Sequence, residues 1–75
     1  MISVETDEPQ QSVEIYLDPE GLERLIRDLE SLRGIASHLH FMTSAWGGKE
    51  LAEATKPTNA TVNHLIIYSV GAPQP

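Results

Sequence analysis

The chain has 75 residues, no cysteine, and eleven acidic against five basic side chains, for a net charge of −6. Disulfides and thiolate-bound zinc are thereby excluded, and a surface of this sign repels phosphate backbones, so no nucleic-acid partner is expected. A chain this short buries only about 60% of the surface its unfolded form exposes, so residues 1–75 are expected to form a single small domain with one thin core.

The opening "MISVETDEPQQ" carries acid where a secretory leader would have a basic region and an apolar run. The longest apolar run, "LII" within "HLIIYSV", is far too short to cross a bilayer. No membrane contact is expected, and the expected location is the cytoplasm. Residues 1–10 and 71–75 read as flexible ends, with turn-like composition in "TDEPQQ" and "GAPQP". "ISVET" has the makings of a further short strand turning back through "DEPQ".

The first clear strand is "SVEIYL", in which Val13, Ile15 and Leu17 alternate with Glu14 and Tyr16, the pattern of one buried face. A helix over about 19–33 follows. Leu22, Leu25, Ile26, Leu29 and Leu32 form one apolar stripe, Asp18 is the N-cap, Pro19 suits the first position, and Gly34 closes the end. Gly21 is its one poor residue, at about 1 kcal/mol against alanine. Glu20 with Arg24 and Glu23 with Arg27 stand four apart in the favourable order.

Next comes "HLHFMT", with Leu39 and Phe41 inward and His38, His40 and Met42 outward. The last strand lies in "TVNHLIIYSV"; the preferred register points Leu65 and Ile67 inward and His64, Ile66 and Tyr68 outward, but it leaves Val62 and Val70 outward too, which keeps the opposite register open. The expected fold is therefore α+β, in the order β(β)αββ. It would be a three- or four-stranded mixed or antiparallel sheet, with the helix covering Val13, Ile15, Leu17, Leu39, Phe41, Leu65 and Ile67.

One helix shields one face. The other would carry Glu14, Tyr16, His38, His40, Met42, His64, Ile66 and Tyr68, too apolar for an ordinary wet surface and too polar for a second core. Such a patch on a small protein suits a binding surface, with a homodimer or a foreign partner as occupant. An ordinary sheet with scattered exposed hydrophobes is the plainer alternative. Its imidazoles titrate near neutrality, which would make binding pH-sensitive.

The same histidines raise a metal reading, because two on one strand and a third opposite suit a three-histidine zinc site built from His38, His40 and His64. Nothing in the sequence sets His64 opposite the pair or supplies a carboxylate behind them, so no metal and no cofactor is expected. No nucleophile elbow, phosphate-binding glycine loop or paired-acid motif appears, and no catalysis is expected. Glu50 and Glu53 fit a solvated helical turn starting near Lys49 better than an acid–base pair.

The connection "SAWGGKELAEATKPTNA" is long for so small a domain, and such loops are usually functional or mobile. Gly47 and Gly48 let the backbone turn sharply beside Trp46, the sole tryptophan. Trp46 then serves either as a lid on the core or as an anchor inserted into a partner, with Leu51 stapling the loop down.

"VEIYLDPEGLERLIRDLESLR", "HLHFMTSAWGG-KEL" and "VNHLIIY" together resemble the bacterial immunity protein 32 family, over about Val13 to Tyr68. The distinctive part is the stretch holding His40, Thr43, Trp46, Gly47, Gly48 and Leu51. The resemblance implies a small α+β protein encoded beside a secreted polymorphic toxin, which it neutralises by binding, without catalysis or cofactor. An acidic surface would steer such a protein onto a basic partner, for instance a nuclease.

Overall fold

The computed structural model describes residues 1–70. The tail expected at 71–75 lies outside them. Ile2–Thr6 forms strand β1, and far from being part of a flexible end it is the central strand of a three-stranded sheet. Ile2 and Val4 are buried on one face, and Ser3 and Glu5 are buried on the other. Strand β2, Val13–Leu17, returns antiparallel to it, with Ile2 opposite Leu17 and Glu5 opposite Glu14. Asp7 makes the turn: its Oδ1 accepts the N–H groups of Gln11 and Ser12 at 2.8 and 3.0 Å.

Helix α1 spans Pro19–Glu30, and Asp18 caps it by accepting the Gly21 N–H at 2.7 Å. It ends a turn earlier than predicted. Beyond Glu30 the bonds tighten from i+4 to i+3 (Leu32 N to Leu29 O, Arg33 N to Glu30 O), and Gly34 turns with φ of 76°. The charge pairing also differs from expectation. Arg24 reaches forward to Asp28 at 3.5 Å, and Arg33 pairs with Glu30. Gly21, poor by propensity, has a packing reason: a Cβ there would sit 1.9 Å from the Met1 carbonyl oxygen.

After the helix come β3 (His38–Met42), a 3₁₀ turn at Ser44–Trp46, β4 (Ala60–Thr61) and β5 (His64–Tyr68). The class is α+β, as predicted, but the strands form two antiparallel sheets, ordered β2-β1-β4 and β3-β5. Two backbone stitches join them. The stretch from β4 into β5 changes partners, the Val62 N–H donating to Val4 and the Asn63 carbonyl accepting from Thr43. Leu51 and Ala52 make the second stitch, Leu51 N bonding Met42 O at 3.1 Å and Ala52 N bonding Ile2 O at 2.8 Å.

The core is Ile2, Val4, Phe41 and Leu51, with Leu17, Leu25, Leu39, Val62, Leu65 and Ile67 packed around it. The predicted inward set of β3 and β5 is thus the packed one. Val62 joins it because the chain breaks from strand geometry between β4 and β5. At the far end of β2 the expectation fails. Val13 and Ile15 are 66% and 48% exposed, so the helix does not cover that end of the strand. Leu22, Ile26 and Leu29 of its stripe are likewise exposed. Among the described residues no helix is long and apolar enough to cross a membrane.

Phe41→Ala is therefore expected to cost about 3–5 kcal/mol, and Ile15→Ala about 1 kcal/mol or less. Chemical denaturation measures both; equal losses would mean the end of β2 is covered after all.

Candidate functional site

Strands β3 and β5 pair with His38 opposite Tyr68, His40 opposite Ile66, and Met42 opposite His64. Alternate positions share a face, so these six side chains stand together on the side away from the core. The aromatic members touch in sequence. Ring centroids lie 5.5 Å apart for Tyr68 and His38, 4.8 Å for His38 and His40, and 5.0 Å for His40 and His64; Trp46 extends the row past His64 at 5.9 Å. Trp46 and Tyr68, at its two ends, are 59% and 63% exposed. Neither strand contains an Asp, Glu, Lys or Arg. On a chain with net charge −6 this face is uncharged when its histidines are neutral.

Trp46 is set in place by the residues around it. Thr43, buried, accepts the N–H groups of Trp46 at 3.0 Å and Gly48 at 2.9 Å on its carbonyl, and its hydroxyl donates to Asn63 Oδ1 at 2.7 Å. Gly47 closes the 3₁₀ turn at φ of 83°, a region that disfavours a side chain. Gly48 lies so close to β3 that a Cβ would stand 2.4 Å from the Met42 carbonyl oxygen. Leu51 is buried in the core and fastens the far side of the turn. The Trp-Gly-Gly run thus directs the indole out beside His64, as an exposed side chain and not as a lid.

Glu14 and Tyr16 do not join this row. They belong to the other sheet, where the Tyr16 hydroxyl donates to Glu14 Oε1 at 2.6 Å. That bond holds the Glu14 carboxyl below its usual range and raises the tyrosine. The face they share with Ser3 and Glu5 is not open either, because residues 53–59 fold across it. Glu5 anchors that loop. Its carboxylate accepts from Ser3 Oγ (2.7 Å), Thr55 N (2.7 Å), Thr55 Oγ1 (2.9 Å), Lys56 N (3.3 Å) and Asn59 Nδ2 (2.9 Å). Asn59 Nδ2 also reaches Glu14 Oε1 at 2.9 Å, tying the two acids into one network. Sequence reasoning missed Glu5, Asn59 and Asn63. Only the alternation of "ISVET" hinted at a paired strand, and nothing local marks Glu5 as buried.

The three histidines are brought to one face, yet His40 Nδ1 and His64 Nε2 are bonded to each other at 2.8 Å. Among the described residues, no group of three or more His, Asp or Glu side chains is placed to hold a metal ion. Glu50 and Glu53 form no helical turn. Glu50 accepts the N–H groups of Met42 (3.1 Å) and Lys49 (3.0 Å), and these backbone bonds hold its carboxyl below the usual range.

Fold and face together define a small two-sheet α+β scaffold with an aromatic surface that no described residue covers. The family model described as Immunity protein 32 matches residues 12–69, well over half of the chain, and the chain belongs to that family. The match begins after β1, the central strand of the three-stranded sheet. No curated protein and no solved structure matches the chain.

Burial raises the Glu5 carboxyl, but the Thr55 amide, Ser3, Asn59 and the Thr55 hydroxyl lower it and prevail, taking it from 4.5 to about 2. A folded value below the unfolded one means stability that is present above pH 4.5 and lost as the pH falls towards 2. Glu5→Gln is expected to lower the melting temperature at neutral pH and to flatten that part of the acid limb, as read by melts across pH. Gly48→Ala is expected to cost about 1–3 kcal/mol through the clash with Met42; a denaturation midpoint equal to that of the parent would refute the close approach.

Proposed function

We propose that this chain neutralises a bacterial protein toxin by binding it, without catalysis, through the β3–β5 face and Trp46. The reading is supported by one observation above all: a chain of an immunity-protein family carries an exposed row of tyrosine, histidine and tryptophan, without Asp, Glu, Lys or Arg on its strands, on a sheet face that no described residue covers. Tyr and Trp combine large contact area with few rotatable bonds and dominate interface energetics. His38, His40, Met42, Trp46, His64, Ile66 and Tyr68 are the proposed contact residues. Glu14 and Tyr16 are left out, since their polar groups are committed to Asn59 and to each other.

The net charge of −6 suits a basic toxin such as a nuclease, whose approach it would accelerate. The complex would form in the cytoplasm of the cell being protected. A second reading has the same exposed face pair with a second copy of the chain. Light scattering during size exclusion distinguishes the two, because a tight homodimer seals the surface a toxin would need.

Trp46→Ala and Tyr68→Ala are each expected to weaken binding to the toxin encoded in the neighbouring reading frame by at least about tenfold. Their melting temperatures should stay close to the parent's, because both side chains are mostly exposed. Unchanged affinity in both variants would remove this face from the interface.

A further inference from the structure

The proposed face carries three histidines and no other ionisable side chain except Tyr68. His40 Nδ1 and His64 Nε2, 2.8 Å apart on adjacent strands, can bond only if one nitrogen donates a proton and the other offers a lone pair. The bond survives with the pair neutral or singly protonated. With both rings cationic, two N–H groups point at one another and two positive charges face across a gap that held a hydrogen bond. The rings are also stacked, at 24° between planes, so this repulsion acts on the middle of the aromatic row.

Little nearby offsets a second charge. His38 stands edge-on to His40 from the same strand and is itself a potential cation, and Tyr68 adjoins His38 from β5. The 3₁₀ turn contributes only the Trp46 indole. Glu50, beyond the Met42 end of β3, has its oxygens on the Met42 and Lys49 amides. None of the ion pairs among the described residues involves a histidine.

Resting on the toxin-neutralising reading above, we infer that this face is a proton-gated docking surface: the His40–His64 pair holds an uncharged aromatic contact on a basic toxin at neutral pH and releases it in acid. Two electrostatic roles are thereby separated in space. Acidic residues such as Glu20, Glu23 and Glu30 on the helix lie outside the two strands and steer approach, so added salt slows association. The imidazoles lie inside the contact, so protons accelerate dissociation. Among side chains, histidine is the one whose unperturbed charge change falls between about pH 5 and pH 8.

The experiment has two arms. Imidazole ¹⁵N spectra of the free chain at about pH 8 are expected to show one proton between the facing nitrogens. As the sample is acidified stepwise, protonation of both nitrogens and loss of the contact between the rings should occur together. Rings unpaired at the higher pH would overturn the inference without any toxin present. In the second arm, the dissociation rate of the complex with the neighbouring toxin is expected to rise at least about tenfold over the same pH span and to ignore salt. A His40→Gln/His64→Gln double variant, checked for folding by circular dichroism, should lose that pH dependence. If it keeps the full dependence, the titrating group belongs to the toxin and the gate is refuted. A paired His40–His64 in a protein that binds no toxin at any pH would instead refute the toxin-neutralising reading, and the docking surface with it.

Discussion

A carboxylate with no solvent exposure can be tolerated only if donors surround it, and Glu5 is placed where satisfying that demand organises half the chain. Its donors come from β1 itself and from Thr55, Lys56 and Asn59, some fifty residues later in sequence. Bringing them to Glu5 draws the long connection across sheet β2-β1-β4 and sets Ala60–Thr61 beside β1. From there the chain has one short step, Val62–Asn63, to enter β5 and pair with β3. The anchor at Glu5 thus covers one sheet face and delivers the strand that leaves another face bare.

That division of labour accounts for the shape of the surface. The loop closes over the polar side of β1 and β2, and the helix closes over part of the apolar side. Among the described residues nothing remains for the outer side of β3 and β5. The residues there are apolar in body and polar at the tip, a composition that tolerates water and also tolerates its removal. The turn beside them is tightly specified, with Thr43 locked to Asn63, Gly47 at positive φ and Gly48 against Met42. Such local constraint holds Trp46 at the end of the row without burying it, so a partner would meet a largely pre-ordered surface.

Much of the aromatic row on β3 and β5 was legible from sequence because period-two alternation is a local property. In "HLHFM" and "HLIIY" the inward and outward sets follow from the pleat once either residue is assigned to the core. Glu14 and Tyr16 were placed on the same surface because alternation ranks faces within a strand and is silent on whether two strands share a sheet. Likewise the apolar alternation in β2 correctly named the core side of Val13 and Ile15 but could not say how far the cover extends. The role of Glu5 was invisible for the same reason. Its partners are distant in sequence, and a glutamate in a short strand reads as a solvent-facing residue.

The sequence by itself determined β2, α1, β3 and β5 in their order, the helix N-terminus at Asp18 and the inward faces of β3 and β5, since capping and side-chain periodicity act between near neighbours. The tertiary structure alone decided that the strands split into two sheets, that a loop and not solvent covers Glu5, and that His40 and His64 share a hydrogen bond. Those outcomes depend on pairings across dozens of residues, where loop closure and the satisfaction of buried polar groups, and not local preference, select among the possible partners.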